Sequence, residues 1–174
     1  MRFQDQDKID LIIITHEHSD HFEPDLIIEL QKKTDALVLT TPFVAQKLKK
    51  MKTYVKPLKV GDSFILDTAT FCAEHSNHPA NQPLSFVVCN EIATIYHPND
   101  SRPFPEMSLI ARKHSPDIMI YTGNLIGAIP EIVDLIKPGL IVTYPDPRLK
   151  HIDMPGVAVK ALKPGEISIY PDVA

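Results

Sequence analysis

Thr15-His16-Glu17-His18-Ser19-Asp20-His21 sets three of the chain's eight histidines and one aspartate within six consecutive positions. Imidazole nitrogen and carboxylate oxygen are borderline to hard donors, and together they suit zinc, iron or manganese better than copper(I). In a chain of this composition, such a set would arise by chance with a probability on the order of one in a thousand. The competing reading is a polar loop whose histidines only hydrogen-bond to neighbours. It leaves three imidazoles in one loop with little purpose and, where they are buried, a desolvation cost to offset.

The segment before the cluster explains how it could be positioned. Asp10-Leu11-Ile12-Ile13-Ile14-Thr15 is short, β-branched and almost wholly apolar, the pattern of a strand buried on both faces. Pro24 to Lys33 follows with helical spacing at Leu26, Ile27 and Leu30. In extended backbone, residues two apart point the same way, so His16 and His18 can converge on one ion while Glu17 and Ser19 face elsewhere. Asp20 and His21 come one turn later and can serve a second ion beside the first.

The 174 residues, 44% hydrophobic and 23% charged, suffice for one globular domain, expected to span 1–174. A net charge of -4 argues against a general nucleic-acid binder, which needs a basic surface to displace counterions. Lys32-Lys33 and the lysines of residues 47–52 read as solvated helix faces. Cys72 and Cys89 lie in apolar, strand-like segments and read as free thiols. No N-terminal signal peptide or membrane span is evident, so a cytoplasmic protein without a membrane partner is expected. The sixteen prolines mostly punctuate element boundaries, and no repeat or low-complexity stretch stands out.

Further along, Ala36 to Thr41 predicts a strand and Phe43 to Met51 a helix opened by Pro42. Tyr54 to Val60, Ser63 to Leu66 and Thr68 to Ala73 read as antiparallel hairpin strands broken at Gly61-Asp62 and Asp67. Ser85 to Cys89 and Ala93 to Tyr96 continue them through a turn at Asn90-Glu91. Alternation then returns: helix 107–114, strand 117–122, helix 129–137, strand 140–143. Val157 to Leu162 and Ile167 to Tyr170 are expected as closing strands. An antiparallel centre flanked by strand-helix units predicts an α/β (α+β) fold with sheet packed on sheet and helices outside.

A pair of ions needs donors beyond the first cluster, and other strand ends can bring them. His75 follows the strand ending at Ala73, and Asp100 follows the strand ending at Tyr96. An aspartate between two cations can bridge them and offset part of their charge. His75 is preferred to His78 as a ligand, and His78 is placed at the mouth of the site.

With these pieces in place, the chain resembles the metallo-β-lactamase fold superfamily, and within it the cytoplasmic metal-dependent hydrolases that include the sugar-phosphate lactonases. The resemblance rests on Thr15 to His21, Glu74-His75-Ser76, Tyr96 to Ser101, Ile136-Lys137-Pro138 and Leu162 to Glu166, which cover most of the chain in order. It implies a four-layer αββα metallo-β-lactamase-like sandwich with the site at one edge of its two sheets. It also implies that His16, His18 and His75 bind one ion, Asp20 and His21 a second, and that Asp100 bridges.

Two departures stand against the family pattern. Strands that normally precede the histidine-rich motif are absent before Asp10, leaving a sheet edge that a second copy could cover, hence an expected homo-oligomer, a dimer. The usual final histidine after the strand 140–143 is replaced by Tyr144-Pro145-Asp146-Pro147. Asp146 could replace it, a loop could bring His151 instead, or Asp146 could merely shape a turn. His97 could touch a substrate oxygen or be structural, and Asn124 ends a strand on the same edge.

The chemistry expected is hydrolysis of a small ester, lactone or phosphodiester by a metal-bound hydroxide, with Asp20 orienting it and accepting a proton. One or two zinc ions, or manganese or iron, would serve as cofactor, with a small molecule as substrate. A silent, metal-binding or oligomeric interaction protein, or an iron redox protein, are the alternatives. No P-loop, dinucleotide fingerprint or nucleophile elbow competes for the chemistry.

Overall fold

The computed structural model describes residues 8–49, 54–121, 126–146 and 154–171. The fold is mixed α/β, in two compact units. One comprises the chain through Val60 together with Pro79–Leu84, and the other comprises Gly61–His78 and the chain from Ser85 onward.

The first unit carries β1 (Leu11–Ile14), α1 (Pro24–Thr34), β2 (Leu37–Thr40), α2 (Pro42–Lys47) and β3 (Val55–Pro57). Its sheet has the order β1-β2-β3, with both pairings parallel. Each helix opens on a proline, whose missing N–H costs nothing in a first turn. Thr41 Oγ1 accepts the Val44 amide at 3.2 Å as the N-cap of α2. At the end of α1, Asp35 turns left-handed and its N–H reaches the Gln31 carbonyl. Gln31 is itself buried, and its Nε2 donates to the carbonyls of Ala36 and Tyr54, tying helix to sheet. Ile14, Phe22, Ile27, Val38, Val44 and Leu48 form the core beneath these elements.

Two expectations change here. Residues 54–60 do not join the antiparallel hairpins, because β3 pairs parallel to β2. The helix α2 lies between those strands, and a helical crossover returns the chain in the same direction. That helix also ends at Lys47, earlier than Met51, which lies outside the described residues.

The second sheet contains β4 (Ser63–Leu66), β5 (Ala69–His75), β6 (Leu84–Cys89), β7 (Thr94–His97), β8 (Ile118–Tyr121), β9 (Leu140–Thr143) and β10 (Ala158–Ala161), in the order β10-β9-β8-β7-β6-β5-β4. The hairpins β4/β5 and β6/β7 are antiparallel. Asn90 makes the second turn by accepting the amides of Ile92 and Ala93 on Oδ1. From β7 to β10 the pairing is parallel. Helices α3 (Met107–His114) and α4 (Ile129–Ile136) make the crossovers, the second preceded by a 3-10 turn at Ile126–Ala128. Residues 167–170 are not a strand, and β10 pairs parallel to β9 rather than with them. Ile167 and Ile169 stay exposed, so no buried face rewards their pairing.

The α4 sequence buries Ile129, Ile132, Val133 and Ile136, one helical stripe, against Val87, Tyr96, Met119, Tyr121 and Ile141. Ile132→Ala should therefore cost about 2–5 kcal/mol, the range for truncating a fully buried isoleucine, read as a lower urea midpoint at unchanged slope. Among the described residues, no helix is long and apolar enough to cross a membrane.

Candidate metal centre

In the first unit the chain leaves β1 and gathers three imidazoles. His16 is fully buried, and Thr15 Oγ1 lies 3.1 Å from its Nδ1, which fixes the ring from that side. The His18 ring meets it edge-on with centroids 4.6 Å apart, and the His21 ring lies 4.3 Å away on a tilt. The turn that brings His21 around is closed by its amide and that of Phe22 donating to the His18 carbonyl, at 2.9 and 2.8 Å. Phe22 is buried and anchors the turn in the core. Asp20 faces outward with its side chain 66% exposed, 3.6 Å from His21 Nε2.

The donor set fits a divalent cation. Neutral imidazoles in such ring contact can ligate divalent ions, whereas positively charged rings that close would repel each other. A hydrogen bond to the other ring nitrogen, such as Thr15 makes to His16, is the usual means of fixing a ligating histidine's orientation.

Glu17, between His16 and His18 in sequence, is engaged by another segment. Its carboxylate accepts the Asn81 amide, at 2.9 and 3.2 Å to its two oxygens, and the Asn81 side-chain Nδ2 as well. Burial alone would raise its pKa, but the Asn81 bonds and the nearby His18 outweigh it and hold the carboxyl below the usual range. The Leu84 amide donates to the Thr15 carbonyl at 3.0 Å. This contact was not legible in sequence, since Asn81 lies 64 positions from Glu17.

In the second unit, β5 ends at His75. His75 is exposed, and its ring sits edge-on to Phe104 at 5.0 Å. The segment that follows is stitched to the segment after β7. The Asn77 amide donates to Ser101 Oγ at 2.9 Å, and the Arg102 amide donates to the Asn77 carbonyl at 3.0 Å. His78, one residue past Asn77, and Asp100, one before Ser101, thus sit on two joined loops, both half-buried. Asn99 is buried in the left-handed region, and its amide donates to His97 Nδ1 at 3.0 Å, so His97 shapes the loop that presents Asp100. Asp146 is half-buried in the loop after β9. Asn124 and His151 lie outside the described residues.

Beside this strand end, the buried Glu74 carboxylate is 2.7 Å from both Lys113 Nζ and His114 Nε2. Burial opposes its ionisation, yet bonds to Lys113 and His114 prevail and its pKa falls below the ordinary 4.5. The Glu74 hydrogen bond raises the Lys113 pKa above 10.5 despite partial burial. A depressed carboxylate stabilises the fold above its unfolded pKa and loses that contribution as pH falls through the folded value. A raised lysine does the converse at high pH. The stability gap between wild type and Glu74→Gln should therefore be widest between about pH 5 and 10 and narrow below pH 4.5, read by thermal melts across pH.

The model of the beta-lactamase superfamily domain matches residues 1–164. A UPF0173 metal-dependent hydrolase of Staphylococcus aureus (strain MRSA252) is 30% identical over 189 residues, covering 91% of this chain and 81% of that protein. A UPF0173 metal-dependent hydrolase of Caldivirga maquilingensis is 29% identical over 190 residues, covering 94% and 82%. Among solved structures, a metallo hydrolase from the hyperthermophilic archaeon Ignicoccus hospitalis KIN4/I is similar in fold. Its TM-score is 0.77 at 21% identity, over 91% of this chain and 78% of that one.

Proposed function

From this chain's membership of the beta-lactamase superfamily, and within it of the UPF0173 metal-dependent hydrolases, we propose a hydrolase that opens a small ester, lactone or phosphodiester with one or two divalent ions, zinc first. The observation that carries the reading is the buried His16 ring in contact with both His18 and His21.

The donors proposed are those that the family resemblance implies: His16, His18 and His75 for one ion, Asp20 and His21 for a second, with Asp100 shared between them. A bound divalent ion would lower the pKa of its water to about 7 and polarise the scissile group. Thr15 keeps the His16 ring aligned. The Asp100 carboxylate offsets cationic charge, and Asp20, exposed at the rim, can take up the released proton. Specificity belongs to the loops 76–83 and 98–106, and the mildly acidic chain favours a small substrate over nucleic acid.

The test is turnover by the zinc- or manganese-loaded protein of three probes: an aryl phosphodiester, an aliphatic lactone and an aryl thioester. Hydrolysis of one of them, lost with a chelator and restored by metal, supports the reading. A fully loaded protein inert to all three would point to a silent member of the family.

A further inference from the structure

We propose that Cys72 and Cys89, which no part of the chemistry above employs, are a reversible redox pair: a peroxide joins them in a disulfide between β5 and β6, and a small thiol reopens it.

Both residues belong to the second unit, on strands that are neighbours in its sheet. Ser85 Oγ donates to the His75 carbonyl at 2.9 Å near one end of the two strands, and Cys89 Sγ donates to the Thr70 carbonyl at 3.7 Å near the other, so the strands run in opposite directions. Cys72 lies two residues beyond Thr70 on β5 and therefore on the same face, which makes it the diagonal neighbour of Cys89. The two thiols are hydrogen-bonded to each other, and each is free and half-buried.

Their surroundings give them different roles. Cys72 packs against the core that contains Val87 and Tyr96. Burial pushes its thiol above the ordinary 9.0, and the Cys89 sulfur adds to that while Lys113 opposes it, so Cys72 stays protonated at neutral pH. Cys89 is the last residue of β6 and adjoins the exposed Asn90, Glu91 and Ile92, so a small oxidant meets it first. Its sulfur attacks one oxygen of hydrogen peroxide, the O–O bond breaks, and the thiol proton leaves with the other oxygen as water. The Cys72 sulfur then attacks the sulfur of the resulting sulfenic acid, and the S–O bond breaks to release a second water that carries the Cys72 proton. Two electrons thus pass from the thiol pair to the peroxide.

The diagonal placement also sets how firmly the bond holds. Diagonal neighbours lie about 7–8 Å apart at Cα, beyond the roughly 4.4–6.8 Å that a relaxed disulfide spans. Closing the bond draws the end of β6 along β5, and a disulfide held under such tension is easily reduced.

The experiment exposes the full chain to a slight excess of hydrogen peroxide, blocks the remaining thiols with iodoacetamide under denaturing conditions and reads the intact mass, for wild type, Cys72→Ser and Cys89→Ser. Wild type should lose two hydrogen atoms, take up no iodoacetamide and remain a single chain, and millimolar glutathione should restore both thiols. Cys72→Ser should instead stop at a sulfenic acid that dimedone traps, whereas Cys89→Ser should keep its thiol under the same treatment. Thiols that stay free in treated wild type, oxygen atoms gained without loss of hydrogen, a disulfide between chains, or an internal disulfide that glutathione fails to reopen would each overturn the inference. If either serine variant does not fold, the wild-type readings decide alone.

Discussion

Replacing His16 with alanine is expected to lower kcat/KM for whichever substrate the protein hydrolyses by more than about 100-fold at saturating metal. Losing a residue that merely orients a metal ligand costs about 10–100-fold in metal affinity or activity, and losing a ligand itself should exceed that. His16 is the fully buried member of the cluster, its ring touches both His18 and His21, and its Nδ1 is held by Thr15. Its removal therefore perturbs both neighbouring donors as well as deleting one. A parallel thermal melt of the metal-free proteins separates lost binding from lost folding. A variant that keeps wild-type kcat/KM would show that the buried ring is only part of the core.

The second large effect is expected at Asp100. Asp100→Asn keeps the shape and removes the charge. Its loop keeps the bonds of the Asn99 amide to His97 and of the Asn77 amide to Ser101. The proposed pair of ions would lose the anion that offsets their mutual repulsion. A second equivalent of zinc should then bind more than about tenfold more weakly while the first is little changed, and hydrolysis should fall by about 100-fold. Calorimetric titration with zinc resolves the two steps. Unchanged binding of both would place Asp100 outside the metal centre.

How far these roles could be read from residues alone depended on how local their causes are. The strand β1, the helix α1 opened by Pro24, and the turn at Asn90 are set by neighbours a few positions away, and each is seen. His16, His18 and His21 likewise meet because one strand end and one tight turn suffice to gather them. His75 ends β5 and His78 lies three residues beyond it, and nothing local in the sequence separates them as donors. The ring that engages His75 is Phe104, from another segment, and the tie that presents His78's neighbour is Ser101. The contact of Glu17 with Asn81 has the same character, since alternation says that Glu17 faces away from the donors but not that Asn81 waits there. The parallel placement of β3 was missed because residues 54–60 carry an apolar pattern that fits either direction, and the crossover through α2 decided it.

The central claim is that the histidine cluster after β1 holds a metal ion, and elemental analysis of the purified protein beside His18→Ala addresses it most directly. One or two equivalents of zinc or manganese per chain in wild type, with at least one equivalent lost from the variant after dialysis against a mild chelator, is the predicted result. A variant that retains the wild-type metal content, or a wild type that takes up none when supplied in excess, would contradict the account.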